Sequence, residues 1–218
     1  RDPQLRAELT PDYQPLCKRQ VLSGTYYQAI TAPNAELVTD RIAEFTPTGI
    51  RTTDGAHHEI DIAVLATGFQ AHNYMRPMHV VGRDGVTLDD AWVKGPRAYR
   101  MTAIPGFPNL FFMLGPHSPV GNQSLIRVAE DQADYIVQWV RKIRDGEIVR
   151  AAPTQAATDA YNDEMRAQMP HTAWLTGCQS WYLGKDGFPE LWPWRPERHE
   201  QMLAAPDLSE FDVVAPAR

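Results

Sequence analysis

Two apolar segments that each stop at a glycine constrain the fold of this chain more than any other feature. Residues 59–69 begin as an alternating pattern, become continuously apolar at 62–66 and stop at Gly68. Residues 109–116 form a second apolar run, which ends at Gly115. Continuous apolar runs of this length are typical of strands buried on both faces of a parallel sheet. The two segments therefore predict an α/β fold.

Helices are predicted after the second apolar run. One helix has an apolar stripe whose members are three or four residues apart: Leu125, Ala129, Ala133, Ile136, Val140 and Ile143. Gly146 is a natural stop for this helix. A weaker helix is predicted from a cap at Thr154 to about Gln168. Short strands are predicted at 36–42 and at 49–55, and the second of these ends in an Asp-Gly turn.

The composition excludes several classes of protein. The 218 residues carry a net charge of −6, so no basic surface for nucleic acid is expected. No apolar run approaches the roughly 20 residues of a spanning helix, and the polar start does not resemble a signal peptide. Cys17 and Cys178 form neither a disulfide framework nor a CxxC motif. We therefore predict a cytoplasmic protein without a nucleic-acid or membrane partner.

Several common site motifs are absent from the sequence. It contains no GxGxxG, no GxxxxGK[ST] and no GxSxG. His199-Glu200 begins like a zinc-binding HExxH, but Leu203 stands where the second histidine would be. His57-His58, beside the Asp-Gly turn, is interpreted as a solvated turn. No metal site is predicted.

The two glycines that end the apolar runs are candidates for a ligand site. Ligands of open parallel sheets bind outside the carboxyl ends of the strands, and Gly68 and Gly115 have no Cβ to obstruct them. The helix after position 122 would point its first amides at an anionic or electron-rich group. Alternatively, both glycines serve only tight turns, and local sequence alone favours this simpler interpretation.

A series of short motifs favours the ligand-site interpretation of the two glycines, because together these motifs resemble those of the class B flavoprotein monooxygenases. The motifs follow in the order of that family: Lys18-Arg19, Tyr26-Tyr27, Asp61 with Ala66-Thr67-Gly68-Phe69, Trp92 with Gly95-Pro96 and Tyr99, Gly106-Phe107-Pro108-Asn109-Leu110-Phe111, Gly115-Pro116-His117-Ser118-Pro119 and Ser180-Trp181-Tyr182. The resemblance is greatest to the Baeyer–Villiger branch and covers nearly the whole chain.

This resemblance implies the C-terminal part of a flavoprotein with two Rossmann-like dinucleotide-binding domains, one for FAD and one for NADP(H). Residues 1–69 would belong to the NADP-binding domain, and residues 70–218 to the FAD-binding domain with a tail rich in Trp and Pro. The family's GxGxxG loops, which hold both pyrophosphates, are not in this sequence. The fold is therefore expected to be incomplete without an N-terminal half.

The resemblance assigns separate roles to two adjacent cations. Lys18 corresponds to the lysine that recognises the 2′-phosphate of NADPH, which suits a flexible point charge. Arg19 corresponds to the catalytic arginine that lies beside the flavin and stabilises the peroxyflavin anion, which suits a guanidinium that stays cationic. The alternative is that residues 17–19 are simply a charged turn.

The resemblance also implies which residues bind the cofactors and the substrate. The cofactor-binding residues are Lys18, Thr67, Gly68, Phe69, Gly115, Pro116, Gln123, Ser124, Leu125 and Trp181. Residues 123–125 would face the pyrimidine edge of the flavin from the start of a helix. Trp181 would cover bound NADP, or would pack in a core with nearby tryptophans. Val120, Gly121 and Asn122 would line the substrate pocket.

The reaction implied by the resemblance is the insertion of one oxygen atom from O2 into a ketone, through a C4a-peroxyflavin formed on FAD that NADPH has reduced. Oxidation of sulfur or nitrogen is the close alternative. A binding or regulatory module that kept only the fold is an alternative of another class, which the retention of Lys18, Arg19 and Trp181 disfavours.

The expected partners are a missing N-terminal half, from the same gene or a second chain, a small ketone or heteroatom substrate, and O2. Without that half, the chain is expected to be inactive and to hold neither cofactor tightly.

Overall fold

The computed structural model describes residues 2–119, 121, 123–177 and 179–217. The chain divides into two compact units, which we treat separately. The first unit comprises Arg1–Tyr13 and Gln20–Phe69, and the second comprises Gln14–Arg19 and Gln70–Arg218.

The first unit contains two short helices and one small sheet. Its elements are α1 (Pro3–Leu9), α2 (Tyr26–Ile30), β1 (Ile42–Thr46), β2 (Gly49–Thr52) and β3 (His57–Glu59). Helix α1 starts where it does because the carboxylate of Asp2 accepts from the backbone N–H groups of Gln4 and Leu5. The strands form an antiparallel sheet in the order β1-β2-β3.

The sheet agrees in part with the predicted strands. Strand β2 and the Asp-Gly turn after it are confirmed, and Gly55 has the positive φ of 91° that such a turn requires. The strand predicted at 36–42 is misplaced, because β1 begins only at Ile42.

The first of the two predicted buried strands is wrong. Only His57–Glu59 is a strand, and residues 60–69 pair with no other strand in the part of the chain that the structure describes. Their apolar side chains are largely open to solvent, with Val64 85% exposed and Phe69 99% exposed. An apolar run forms a buried strand only where neighbouring strands accept its backbone hydrogen bonds, and the described residues provide none.

The second unit is mainly helical around an aromatic core. Its helices and strands are α3 (Leu88–Ala91), α4 (Leu125–Arg144), β4 (Arg150–Pro153), α5 (Gln155–Gln168), α6 (Pro196–Leu203) and β5 (Phe211–Val214). Strands β4 and β5 form an antiparallel pair. Short 3₁₀ turns lie at Arg83–Gly85, Met169–His171, Ala173–Leu175 and Leu208–Glu210.

Helix α4 confirms the predicted helix, but its buried face differs from the predicted stripe. The buried residues are Val128, Gln132, Tyr135 and Trp139, whereas Leu125 and Val140 are exposed. The predicted stripe contains only aliphatic residues, whereas the buried face of α4 includes the large aromatic side chains of Tyr135 and Trp139. The Trp139 ring, for example, lies 4.2 Å from that of Phe211, centroid to centroid.

Helix α5 also confirms its prediction. Thr154 is the N-cap, and its side-chain oxygen accepts from the backbone N–H of Ala157 at 3.1 Å.

The second predicted buried strand, 109–116, is wrong. Only Phe111 makes a strand-like bridge, to Ala103, and Phe112 packs into a small cluster around Trp92. Leu110, Phe111 and Phe112 of this run pack against the core clusters, whereas Met113 is 54% exposed.

Candidate functional site

The segment with the two adjacent cations is anchored by the residue before them. Cys17 is fully buried, and the Thr176 hydroxyl lies 3.7 Å from its sulfur. Lys18 and Arg19 are exposed on the same segment of the second unit. The structure therefore places both cations directly after a buried residue, in a segment of turns and bends.

Cys17 is also disulfide-bonded, which the sequence pattern did not predict. The other cysteine, Cys178, lies outside the described residues. Because disulfides are rare in reducing compartments, this bond does not support the predicted cytoplasmic location, which stays a prediction.

Trp181 is held at its backbone while its side chain stays accessible. The indole is 52% exposed and packs at 4.4 Å, between ring centroids, on Tyr182. The alternative interpretation, in which Trp181 fills the core, does not describe this geometry. The Trp181 carbonyl oxygen accepts a hydrogen bond from Nε2 of His72 at 2.9 Å.

His72 connects Trp181 to a partly buried carboxylate. Its Nδ1 lies 2.6 Å from Oε2 of Glu190. Burial raises the pKa of Glu190, and the nearby His72 opposes that rise. The Trp181 carbonyl can only accept, so Nε2 of His72 donates to it, while Nδ1 of the same imidazole shares a hydrogen bond with the Glu190 carboxyl group.

A small cavity brings several predicted residues together. It has a volume of about 180 Å³, and its lining includes Gly115, Ser118, Trp181 and Tyr182. Gly115 is needed there because a Cβ would meet the carbonyl oxygen of Met101 at 2.1 Å. This glycine therefore serves a close approach of backbone to backbone, and its role in cofactor binding stays a prediction. Pro116 is buried beside it.

A buried glutamine fixes the turn that contains Gly115. The Gln132 side chain, on α4, accepts from the backbone N–H of Leu114 at 2.6 Å and donates to the Ser118 hydroxyl at 3.1 Å. The Ser118 hydroxyl in turn donates to the carbonyl of Gly115 at 2.7 Å. A fully paired buried network of this kind holds one conformation, so the turn is rigidly presented by α4.

The start of α4 offers free hydrogen-bonding capacity where the flavin edge was predicted. The Gln123 side-chain oxygen is buried and has no hydrogen-bond partner among the described residues. Ser124 is the N-cap but makes no side-chain capping bond to them. An acceptor next to first-turn amide donors matches the alternating N–H and C=O groups of a flavin pyrimidine ring. The residues present therefore fit that group.

The other predicted residues are more scattered. Thr67, Gly68 and Phe69 belong to the first unit, where Gly68 has a positive φ of 90° and a Cβ added to it would meet no atom within 4 Å. Gly121 faces Trp174, whose ring would lie 3.2 Å from a Cβ there. Val120 and Asn122 lie outside the described residues. None of these positions tests its predicted role.

The sequence analysis missed His72, Glu190 and the buried His117. No local spacing joins them, since His72 and Glu190 are 118 residues apart. The usable signal was chemical: a histidine three residues after Phe69, and a second within the Gly-Pro-His-Ser-Pro motif.

Neither a metal-ligating cluster nor a membrane-spanning helix is present in the described residues. No group of three or more metal-ligating side chains lies in residues 2–119, 121, 123–177 and 179–217. Within the same ranges, no helix has the length and apolar character needed to cross a membrane.

The chain is similar to known monooxygenases over nearly its full length. It is 55% identical over 213 residues to an uncharacterized monooxygenase of Mycobacterium tuberculosis. The matched region covers 98% of this chain and 43% of that relative. It is 36% identical to Baeyer–Villiger monooxygenases of Streptomyces coelicolor, over 220 residues, and of Pseudomonas aeruginosa, over 219. These matches cover 42% and 41% of those relatives. No family model matches the chain.

Solved structures give the same result. A steroid monooxygenase bound to NADP matches with a TM-score of 0.87 at 29% identity, over 99% of this chain and 42% of that one. A cyclohexanone monooxygenase from Rhodococcus bound to NADP+ matches with a TM-score of 0.86 at 28% identity, with the same coverage. The chain thus spans about two fifths of the length of the proteins it matches.

Proposed function

Because this chain belongs to the class B flavoprotein monooxygenases, whose C-terminal half it resembles, we propose that it is part of an FAD- and NADPH-dependent enzyme that inserts one oxygen atom from O2 into a ketone. The observation that carries the proposal is the anchored pair Lys18 and Arg19. Two adjacent exposed cations, next to a buried and disulfide-bonded Cys17, form a prepared surface for anions.

In this proposal, different residues of the chain have different roles. Lys18 binds the 2′-phosphate of NADPH, and Arg19 stabilises negative charge that develops on oxygen during the reaction. Gln123 and the first amides of α4 would hold the flavin edge, and Trp181 would cover bound NADP and shield it from water. Bound FAD would supply the redox chemistry, with NADPH as reductant and O2 as the source of the inserted oxygen.

We further propose that the enzyme acts with a complementary segment that carries the two GxGxxG loops. The relatives are more than twice as long as this chain, and the loops that hold pyrophosphates are absent from its sequence. The chain then contributes Lys18, Arg19, Trp181 and the start of α4, while the complementary segment binds the dinucleotide backbones.

Reconstitution tests this proposal. The chain is co-expressed with a complementary N-terminal half, and the purified complex is assayed for the visible flavin spectrum and for conversion of a cyclic ketone to its lactone. We expect a yellow complex that forms lactone only with NADPH and O2. A stable complex without flavin would favour the non-catalytic module instead. Sulfide oxidation without any lactone would favour the heteroatom-oxidising alternative.

Two substitutions then separate the roles of the cations. Lys18→Ala is expected to raise the KM for NADPH at least tenfold, as loss of a charged hydrogen bond does, and to leave the KM for NADH nearly unchanged. Arg19→Ala is expected to abolish lactone formation while NADPH still reduces the flavin. Arg144→Ala is the matched control, because that arginine pairs with its neighbour Asp145 on an exposed surface. Wild-type lactone formation by Arg19→Ala would contradict the assignment.

A further inference from the structure

A second cavity in the second unit has no role in the proposed reaction. It has a volume of about 270 Å³ and lies between the 92–97 segment, His117, helix α5 and the 185–190 segment. His72 and Glu190 lie between this cavity and the one beside Trp181, since they line both. Its size suits a molecule of a few heavy atoms rather than a dinucleotide.

Asn162 lines the cavity, and its hydrogen bonds fix the orientation of its side-chain amide. The Asn162 amide nitrogen donates to the carbonyl oxygens of Ala98 at 3.2 Å and Thr158 at 2.7 Å. Reversing the amide would set its oxygen against two acceptors, so the assignment is determined by chemistry. The Asn162 oxygen is left buried and without a partner among the described residues. A buried acceptor in this state calls for a donor.

A second buried polar atom belongs to His117. This residue is 8% exposed, and its Nδ1 has no partner in the part of the chain that the structure describes. Burial lowers the pKa of His117 to about 4, and the cations Arg97 and Arg166 act in the same direction. The imidazole is therefore neutral near pH 7 and offers one donor and one acceptor. Its backbone has a positive φ of 65°, which a histidine adopts only where its surroundings require it.

The charge around the cavity is positive although the chain is acidic. Five cationic side chains line the cavity, against three carboxylates. Asp89 pairs with Arg76 at 2.6 Å, Asp186 pairs with Arg166 at 2.8 Å, and Glu190 pairs with His72. For the half-buried Arg97, and for Lys94 and Lys185, the described residues supply no ion pair. An excess of cations in a partly enclosed space concentrates anions.

We propose that this cavity binds a small organic anion that has a carboxylate together with a hydroxyl or amino donor. Arg97, assisted by the rim lysines, holds the carboxylate. The hydroxyl or amino group donates to the Asn162 oxygen, and Nδ1 of His117 makes the remaining hydrogen bond. The site is adjacent to Trp181 through His72 and Glu190, but its occupancy does not depend on the proposed flavin chemistry.

Calorimetric titration of the full chain tests the proposal, with L-malate as the probe. Succinate, which differs only in lacking the hydroxyl, is the matched ligand. We expect L-malate to bind at least tenfold more tightly than succinate, because succinate leaves the buried Asn162 oxygen without a donor. Equal affinities, or no heat with L-malate at millimolar concentration, would overturn the proposal. Neither result bears on whether the reconstituted enzyme oxidises ketones.

Three substitutions locate the binding site. Arg97→Gln is expected to weaken L-malate binding about tenfold. Asn162→Asp is expected to weaken it further, because the new negative charge repels the carboxylates of L-malate. Asp186→Asn is expected to strengthen it several-fold by releasing Arg166, whereas Asp163→Asn, on the exposed side of α5, should change nothing. If Arg97→Gln keeps its melting temperature and still binds as tightly as wild type, the site is wrong. If Asn162→Asp fails to fold, the tighter binding of L-malate expected for Asp186→Asn still tests the site.

Discussion

The two units use the same kind of sequence in opposite ways. In the first unit, the apolar run that ends at Phe69 lies open to solvent. In the second unit, apolar and aromatic residues of α4, α5 and β5 enclose one another, and Tyr135, Trp139 and Met165 are almost fully buried. Apolarity alone therefore does not decide burial. What differs is whether the described residues supply elements to pack against.

The contrast shows that the second unit contains a core of its own. All six tryptophans of the chain lie in this unit, so their fluorescence reports its unfolding without a signal from the first unit. The effect of a substitution on the free energy of unfolding can therefore be measured for the second unit by itself.

The largest effect is expected at the centre of the aromatic core. Trp139 is fully buried and contacts Phe211, Phe111 and Tyr135. Trp139→Ala should lower the free energy of unfolding of the second unit by about 3–5 kcal/mol, since a large cavity replaces the ring. Urea unfolding followed by fluorescence measures this loss. Trp181→Ala is the matched control, because it removes a half-exposed tryptophan and should cost about 1 kcal/mol or less. Equal losses in the two variants would contradict the core described here.

An effect on the order of 3 kcal/mol is expected from pH at His117. Its folded pKa of about 4 lies below that of an unfolded histidine. The resulting stability is complete above about pH 6.5 and is lost as the pH falls toward 4, because only the unfolded state readily takes up the proton.

The variant His117→Gln isolates this contribution. Burial also lowers the pKa of His199, and that residue is present in both proteins, so the difference between their stability curves belongs to His117. Urea unfolding at about pH 7, 5.5 and 4 should show a smaller acid loss in His117→Gln than in the wild type. If the free energy of unfolding falls equally with pH in the two proteins, His117 is not buried as a neutral imidazole.

How much of this was predictable depends on the range of the interactions. The helices α4 and α5 and the Asp-Gly turn follow from local chemistry, as Thr154 and Gly55 show. The strands at 59–69 and 109–116 were predicted wrongly, because burial of a strand depends on distant partners. The anchored position of Lys18 and Arg19 required the contact between Cys17 and Thr176, 159 residues apart. No sequence pattern contains such a contact.

An effect of about 1 kcal/mol is expected at the cap of α5. Thr154→Ala removes the acceptor for the Ala157 amide, which typically costs about 1 kcal/mol. Ser124→Ala changes the N-cap of α4, where no capping bond to the described residues is made, and should cost almost nothing. Fluorescence-monitored unfolding compares the two. If Ser124→Ala costs as much as Thr154→Ala, α4 is capped in solution and its first amides are not available to a cofactor.

The smallest effect on stability is expected in the apolar run of the first unit. It tests whether this run is exposed, in contrast to the buried core of the second unit. Leu65 is 73% exposed, so Leu65→Ala in the isolated chain should change the stability of the β1-β2-β3 sheet by less than about 0.5 kcal/mol. Hydrogen exchange of the backbone amides of β2 measures this. In the complex with the proposed complementary segment, the same substitution should cost about 2–3 kcal/mol if the run is covered there. A large cost in the isolated chain would show that the run is already buried. If Leu65→Ala changes the stability of neither form, the complementary segment does not pack on the run. The exposed apolar side chains of the run would then have a role other than binding that segment.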